Sequence, residues 1–273
     1  VTDPISEQMR AAKDYEDPFF SDPLPTYQKQ QMNKLGEEIA ARFKETYYSY
    51  AWREGDNRNT QLHIGPSGVG TPCDRRLAMS LMRIDPVHPG GEGWPAFIGT
   101  CVHAGLADMF VWSGGGSGRY LIEVPLSFDS EAMPRGTGDL IDRVMKVMID
   151  HKVLGRWSLN QLRNKGPSPT YRVQVHLYAY AARKAGHSVE NVAIVGWPRE
   201  AGSLDQMYVW TEPFNQGVVD EALDRLDRIT TRIEESYGGL EIAREFETAD
   251  DCKFCPYHNK GDDEFTRGCP GWR

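Results

Sequence analysis

The sequence predicts an α/β fold, with helices flanking a small sheet of mixed strand direction. Apolar residues recur every three or four positions near both ends of the chain, a helical spacing. Between 121 and 154 the pattern changes to short strand-like runs separated by tight turns, and two more such runs, NVAIVGW and QMYVW, follow between helical stretches. The chain has 273 residues, 40% of them hydrophobic, enough for a sizeable core in one large domain or two small ones.

Taken in order, residues 1–26 hold six acids against two bases with several prolines and read as an acidic N-terminal arm. Residues 27–64 form an N-terminal helical extension, because Met32, Leu35, Ile39, Phe43, Tyr47 and Tyr50 make one stripe, a packing face. A main domain over 65–273 follows. GPSGVGTP precedes a short helix starting near Cys73, and DPVHPGGEGWP precedes a helix over about 96–112 carrying Cys101 and His103, ended by GGGSG. Cys101 reads as a small buried residue. LIEVPLSF (121–128), GTGDLIDRV (136–144) and KVMIDHKVL (146–154) read as strands, the last two as an antiparallel hairpin with a very tight turn. GRWSLNQLRNKGPSPT reads as a long basic loop leading into a helix over 171–185. The final helix carries Val219, Leu223, Leu226 and Ile233 on one side, with Ile229 or Thr230. Internal repeats are absent, and GTGD lacks the spacing of a phosphate-binding glycine loop.

The formal charge of −8 excludes a uniformly basic nucleic-acid coat and a polybasic membrane anchor. A local basic surface remains open, because residues 143–184 hold nine Lys/Arg against the single acid Asp150, a balance of +8 that leaves −16 for the rest. The chain shows no run of 18 apolar residues and no basic start followed by an apolar stretch, so neither a membrane helix nor a secretory signal is read. A cytoplasmic location without a membrane partner is expected.

Asp150 and Lys152 are two apart in a strand, so their side chains leave the same face of the sheet. A tight hairpin brings Asp139 level with Asp150 or Lys152. Two carboxylates converging beside one ammonium repel each other unless a cation or proton intervenes, and a divalent oxygen-loving metal is one compensation. An ordinary cross-strand salt bridge to Lys152 is the other. Gln174 and Tyr178, four apart, share one helical face, and His103 could add a nitrogen ligand. Asp142 reads as a supporting or exposed residue. Trp157, Tyr171 and Tyr178 could stack on unpaired bases or pack in the core.

His103, then Gly136-Thr137-Gly138-Asp139, then Asp150-His151-Lys152, then Gln174 to Tyr178 follow one another, the two aspartates eleven positions apart. This series resembles the PD-(D/E)xK nuclease superfamily, in particular its RecB-like branch, whose motifs run His, GxxD, DxK and QxxxY in that order. The resemblance implies a restriction-endonuclease-like core. It gives Asp139, Asp150 and His103 the binding of Mg2+ or Mn2+, Lys152 the attacking water, and Gln174 and Tyr178 substrate contact and support of the site; Glu123 is a weaker addition. The implied activity is metal-dependent DNA exonuclease action, from single-stranded or free ends, in recombination, repair or end processing. An endonuclease on the same fold and a non-catalytic nucleic-acid-binding module are the alternatives. Relatives of this size are often encoded by phages or CRISPR loci, so a recombination or CRISPR protein is an expected partner.

Cys252-Lys-Phe-Cys255, with Cys269 and distant Cys73, forms a set of four soft ligands suited to zinc or an iron–sulfur cluster. Spacing alone favours zinc. The resemblance favours a 4Fe-4S cluster, since a subset of RecB-like nucleases, the CRISPR-associated and AddB-type ones among them, has one cysteine before the nuclease motifs and three after. The thirteen residues between Cys255 and Cys269 exceed the usual few and leave room for His258 as a replacement ligand. A C-terminal cysteine clasp closing the domain is expected.

Overall fold

A computed structural model describes residues 26–59, 64–88, 93–114, 117–236, 240–250 and 252–271. The chain divides into two compact units, one up to Asn59 and one from Thr60 onward. The acidic arm read over 1–26 lies outside the described residues, apart from its last position.

Among the described residues of the first unit one helix runs over 34 residues, α1 (Thr26–Asn59). Its stripe, read as a packing face, is exposed at Leu35, Ile39 and Phe43, the last by 72%.

In the second unit a one-turn helix, α2 (Pro66–Val69), leads to α3 (Asp74–Leu81) and α4 (Trp94–Gly114). Five strands follow: β1 (Tyr120–Ser127), β2 (Arg135–Asp142) and β3 (Val147–Leu154), then β4 (Asn191–Pro198) and β5 (Tyr208–Pro213). Two helices, α5 (Arg156–Lys165) and α6 (Pro169–Lys184), cross from β3 to β4, and α7 (Gln216–Glu235) follows β5. The strands lie in sequence order, antiparallel except for the β3–β4 pair, which is parallel. The fold is therefore α/β with a mixed five-stranded sheet flanked by helices, as the period change along the sequence predicts. Parallel pairing requires a long crossover, and α5 and α6 supply it.

The main core lies between the sheet and α6, whose residues from Gln174 to Ala182 are almost all buried against Leu126, Ile141, Met148 and Ile194. Gly70 permits α2 to approach the start of α6: a Cβ there would lie 2.7 Å from the Thr170 backbone. On α7, Val219, Leu226 and Ile229 of the predicted stripe are buried together with Ala222, while Leu223 and Ile233 are half-buried. A second cluster joins Leu77 and Ala78 of α3 to Ile229, Ile242 and Phe246, and a third joins Met79 to Tyr257, Phe265 and Cys269. The start of the domain is thus packed against its end.

Three readings change. The segment expected as a long basic loop contains α5, because Leu159 and Leu162, three apart, both insert into the core at 3% exposure. Cys101 is exposed, since α4 buries little beyond Leu106. By length and composition α4 is also apolar enough to cross a membrane, at a mean hydropathy of 1.2. Spread over Gly, Ala and aromatic residues and interrupted by His103 and Asp108, that character does not show as an unbroken run. Here α4 packs on β1 and β3.

Candidate active site

The β2–β3 hairpin turns on Asp142, whose Oδ1 accepts the backbone N–H groups of Val144 and Met145, each at 3.0 Å. This turn sets the register, Asp142 with Val147, Ile141 with Met148 and Leu140 with Ile149. One step further the same register sets Asp139 level with Asp150, and in β1 it sets Glu123 level with Asp139. The ladder stops there. Instead of a cross-strand backbone bond, Asp139 Oδ2 accepts the His151 backbone N–H at 2.7 Å. Three acids therefore stand in a row across β1, β2 and β3.

His103 comes from α4, with Nδ1 3.7 Å from Asp139 Oδ2. Glu123 holds a left-handed φ of 48°, which costs energy for a residue with a Cβ and marks local strain. One donor atom from each of His103, Glu123 and Asp139 lies within 4.8 Å of the others, the spacing of a metal-ligand set. Glu123, a weaker addition on the sequence, is thus placed beside the two stronger residues.

Asp150 is fully buried. Lys152 Nζ lies 2.7 Å from its Oδ2, while Oδ1 has no hydrogen-bond partner among the described residues. Lys152 Nζ also sits over the Tyr171 ring, 5.0 Å from its centre. From α6, Gln174 Nε2 donates to Tyr178 Oη at 3.3 Å, and both residues are buried. The structure thus places Gln174 and Tyr178 together, and Asp150 with Lys152.

Burial pushes the Asp150 carboxyl up to about 6; Lys152 opposes the shift and Asp139 adds to it. Asp139 is raised as well, by burial, against the pull of the His151 N–H and of His103. Burial, aided by Asp150, Asp139 and Glu123, carries the Tyr178 hydroxyl up to about 12. One lysine does not neutralise this row of acids. A buried carboxylate oxygen without a partner, beside a His/Glu/Asp set, fits a hard divalent cation.

His151, between Asp150 and Lys152, was not singled out from the sequence. Its ring stacks on Phe110 of α4, with centroids 5.6 Å apart at 6°, and its Nδ1 accepts from Trp197 Nε1 at 3.2 Å. Burial lowers its pKa to about 4, so the ring is neutral near pH 7. His151 thus fixes α4 on the sheet and, through α4, sets where His103 stands. Its alternation with Asp150 and Lys152 was the available signal. Asp142, expected to be supporting or exposed, is 2% exposed and paired with Arg119 at 2.7 Å.

A cavity of about 520 Å³ opens beside Tyr178, lined by Pro66, Ser67, Arg135, Gly136 and Thr137 among others. That volume lies in the range of small-ligand pockets.

Cys73, Cys255 and Cys269 lie where the start of the domain packs against its end. Cys73 caps α3, its Sγ accepting the Arg76 N–H at 3.4 Å. Cys269 Sγ accepts from Gly271 N at 3.4 Å and from Arg75 Nη1 at 3.6 Å. A Cβ on Gly271, whose φ is +97°, would lie 3.5 Å from Cys252 Sγ and 3.0 Å from His258 Nε2. Cys252, His258 and Cys269 therefore surround one glycine, and Arg75 links them to the Cys73 end of α3. The intervening loop is organised by Asp262, which accepts the N–H groups of Thr266, Arg267 and Gly268.

No protein-family model matches the chain, and no curated protein matches it. Among solved structures the chain is similar to an alkaline exonuclease, LHK-Exo, from Laribacter hongkongensis: 11% identity, 70% of this chain and 93% of that one covered, TM-score 0.45. LHK-Exo in complex with dAMP matches at 13% identity over 64% of this chain and 89% of that one, with a TM-score of 0.44. A phage-related exonuclease from Haemophilus somnus matches at 10% identity over 60% and 80%, with a TM-score of 0.43. Likenesses at this level carry no argument about chemistry, which rests on the residues above.

Proposed function

We propose that this chain is a divalent-metal-dependent deoxyribonuclease, an exonuclease that hydrolyses phosphodiester bonds from the ends of single-stranded DNA. The observation that carries this reading is the place where β2 and β3 part: Asp139 and the fully buried Asp150 are the next residues beyond the last pair, Leu140 with Ile149, with His103 beside Asp139 and Lys152 beside Asp150. In this reading Asp139, Asp150 and His103 hold Mg2+ or Mn2+, with Glu123 available from β1. The ion, when bound, lowers the pKa of water and offsets charge growing on the phosphate oxygens.

The chain's own groups do the rest. The His151 N–H anchors one oxygen of Asp139 and aims the other. Lys152 is held by Asp150 and directs an N–H toward the attacking water. Tyr178 stays protonated at neutral pH, so its hydroxyl donates to substrate while Gln174 steadies it. The cavity beside Tyr178, with Arg135 on its wall, has room for the terminal residue of a strand, which favours action at ends.

Cys73, Cys252, Cys255 and Cys269 hold a soft metal centre in the same reading. The N–H groups pointing at Cys73 and Cys269 sulfur suit thiolates. The order of the cysteines, one before the acidic residues and three after them, favours the 4Fe-4S cluster over zinc. The centre acts as a clasp between the start and end of the domain. The expected setting is recombination, repair or end processing in the cytoplasm, the host cell's if the gene is a phage's, beside a recombination or CRISPR protein.

The test is degradation of end-labelled linear and closed-circular single-stranded DNA by anaerobically purified protein in Mg2+, Mn2+ or EDTA, wild type beside Asp150→Ala. Loss of the linear DNA alone, dependent on metal and absent in the variant, is expected. Cleavage of circles means an endonuclease, and no cleavage by folded protein in either metal means a binding module.

A further inference from the structure

Of the nine cations of residues 143–184, four pair with a carboxylate, two others donate to backbone carbonyls, and three lie together on α5. Lys146 pairs with Glu190, Lys152 with Asp150, Arg172 with Glu212 and Lys184 with Asp129. Arg143 and Arg183 donate to the backbone carbonyls of Gly118 and Val189. The remaining three, Arg156, Arg163 and Lys165, all lie on α5, and among the described residues none of them pairs with a carboxylate. Arg163 donates to Asn160 and to the Gln206 carbonyl and covers the Tyr208 ring, so its position is fixed and its charge is not neutralised.

The ten residues of α5 include no acid, and Leu159 and Leu162 turn one face into the core. Beside that face Arg163, Arg156, Asn160 and Trp157 are exposed along one side of the helix, within an arc of about 120°, whereas Lys165, two residues after Arg163, is exposed on the other side. Trp157 is 75% exposed, whereas Tyr178 is buried and Tyr171 lies under Lys152. Of the three aromatic residues the sequence offered for base stacking, only Trp157 has an open ring. The helix starts two residues after β3, the strand that carries Asp150 and Lys152, so the face is joined to the site by a single short connection. Two acids lie near the helix: Glu200, which is paired with Arg199, and Asp205, next to the Gln206 whose carbonyl Arg163 reaches.

We propose that the exposed side of α5 is a track for an unpaired DNA strand, with Trp157 as the platform on which a base stacks and Arg156 and Arg163 following the phosphates. The charge is complementary to a polyanion, and the fixed Arg163 and the amide of Asn160 give hydrogen bonds no apolar partner would use. An exposed indole rewards a base free to turn its face outward, which a paired base cannot do, so the track selects single strands. This rests on the nuclease reading above and supplies its substrate preference.

The test uses the full chain in EDTA, where nothing is cleaved, and reads fluorescence anisotropy of labelled dT20 and of a 20-base-pair duplex. Trp157→Ala is expected to weaken dT20 binding about tenfold or more, the size of one lost base stack, and to leave duplex binding within about twofold. Trp157→Phe keeps a stacking face and is expected to stay within about threefold of wild type. Arg156→Ala is expected to weaken both probes and to lower the slope of log affinity against log salt by about one. Unchanged melting temperatures show that α5 is intact. Equal dT20 affinity in Trp157→Ala and wild type, equal loss on both probes, or no binding of dT20 by wild type overturns the proposal. Hydrolysis of bis(p-nitrophenyl) phosphate with Mn2+ separates the two readings, because that small diester does not reach α5. Hydrolysis with an indifferent Trp157 leaves the nuclease without this track, and a Trp157-dependent dT20 affinity without hydrolysis leaves the track without the nuclease.

Discussion

Asp150 and Asp142 are buried carboxylates in one hairpin, and their surroundings push them in opposite directions. Asp150 has one ammonium and a neighbouring acid, and burial wins. At Asp142 burial acts the same way, but the Arg119 hydrogen bonds and the Met145 and Val144 amides outweigh it and hold the carboxyl below the usual carboxylate range. A depressed folded-state pKa contributes stability that is present above the unfolded value, about pH 4, and is lost as pH falls below it. Asp142→Asn should therefore cost about 1.5–3 kcal/mol at pH 7 and progressively less as pH falls below about 4, read from urea midpoints across that range. Asp150→Asn should abolish metal-dependent DNA hydrolysis, while a urea midpoint at pH 7 no lower than wild type shows that the carboxylate serves chemistry and not the fold. Asp139, Asp150, Lys152, Gln174 and Tyr178 were legible in the sequence because period-two and i, i+4 spacing fix which side chains share a face. The burial of Asp142 was not, because it depends on Arg119, twenty-three residues away. His151 was passed over because a residue on the opposite face from its neighbours shows its use only when α4 is packed on it.

Among the elements, α5 shows where sequence patterning fails. Its Arg, Asn and Lys content and flanking glycines read as loop, and only two leucines at helical spacing argue otherwise. Those leucines decide the structure: Leu162→Ala should destabilise the protein by about 2–5 kcal/mol in denaturant titration, as burial in the main core requires. The strands were legible because alternation and turn residues agree over 120–154. The wide apolar surface of α4 was not, because hydropathy does not say which face a sheet will cover.

The whole molecule is a sheet whose site lies where two antiparallel strands part, with the domain's first and last segments packed together far along the chain. Cys73 and Cys269 are almost two hundred residues apart, so a metal centre joining them closes a very large loop. Cys73→Ser should lower the melting temperature of anaerobically purified protein and its iron content together; loss of iron without loss of stability would leave the clasp no structural role. The order of the cysteines was legible in the sequence, whereas their spacing depends on how the loop around Asp262 folds. The central claim is that Asp139 and Asp150 together hold a divalent ion, and crystals grown with Mn2+ test it most directly. An anomalous difference peak in contact with both carboxylates and with His103 is the predicted result. A well-ordered site with no manganese between Asp139 and Asp150 would contradict it.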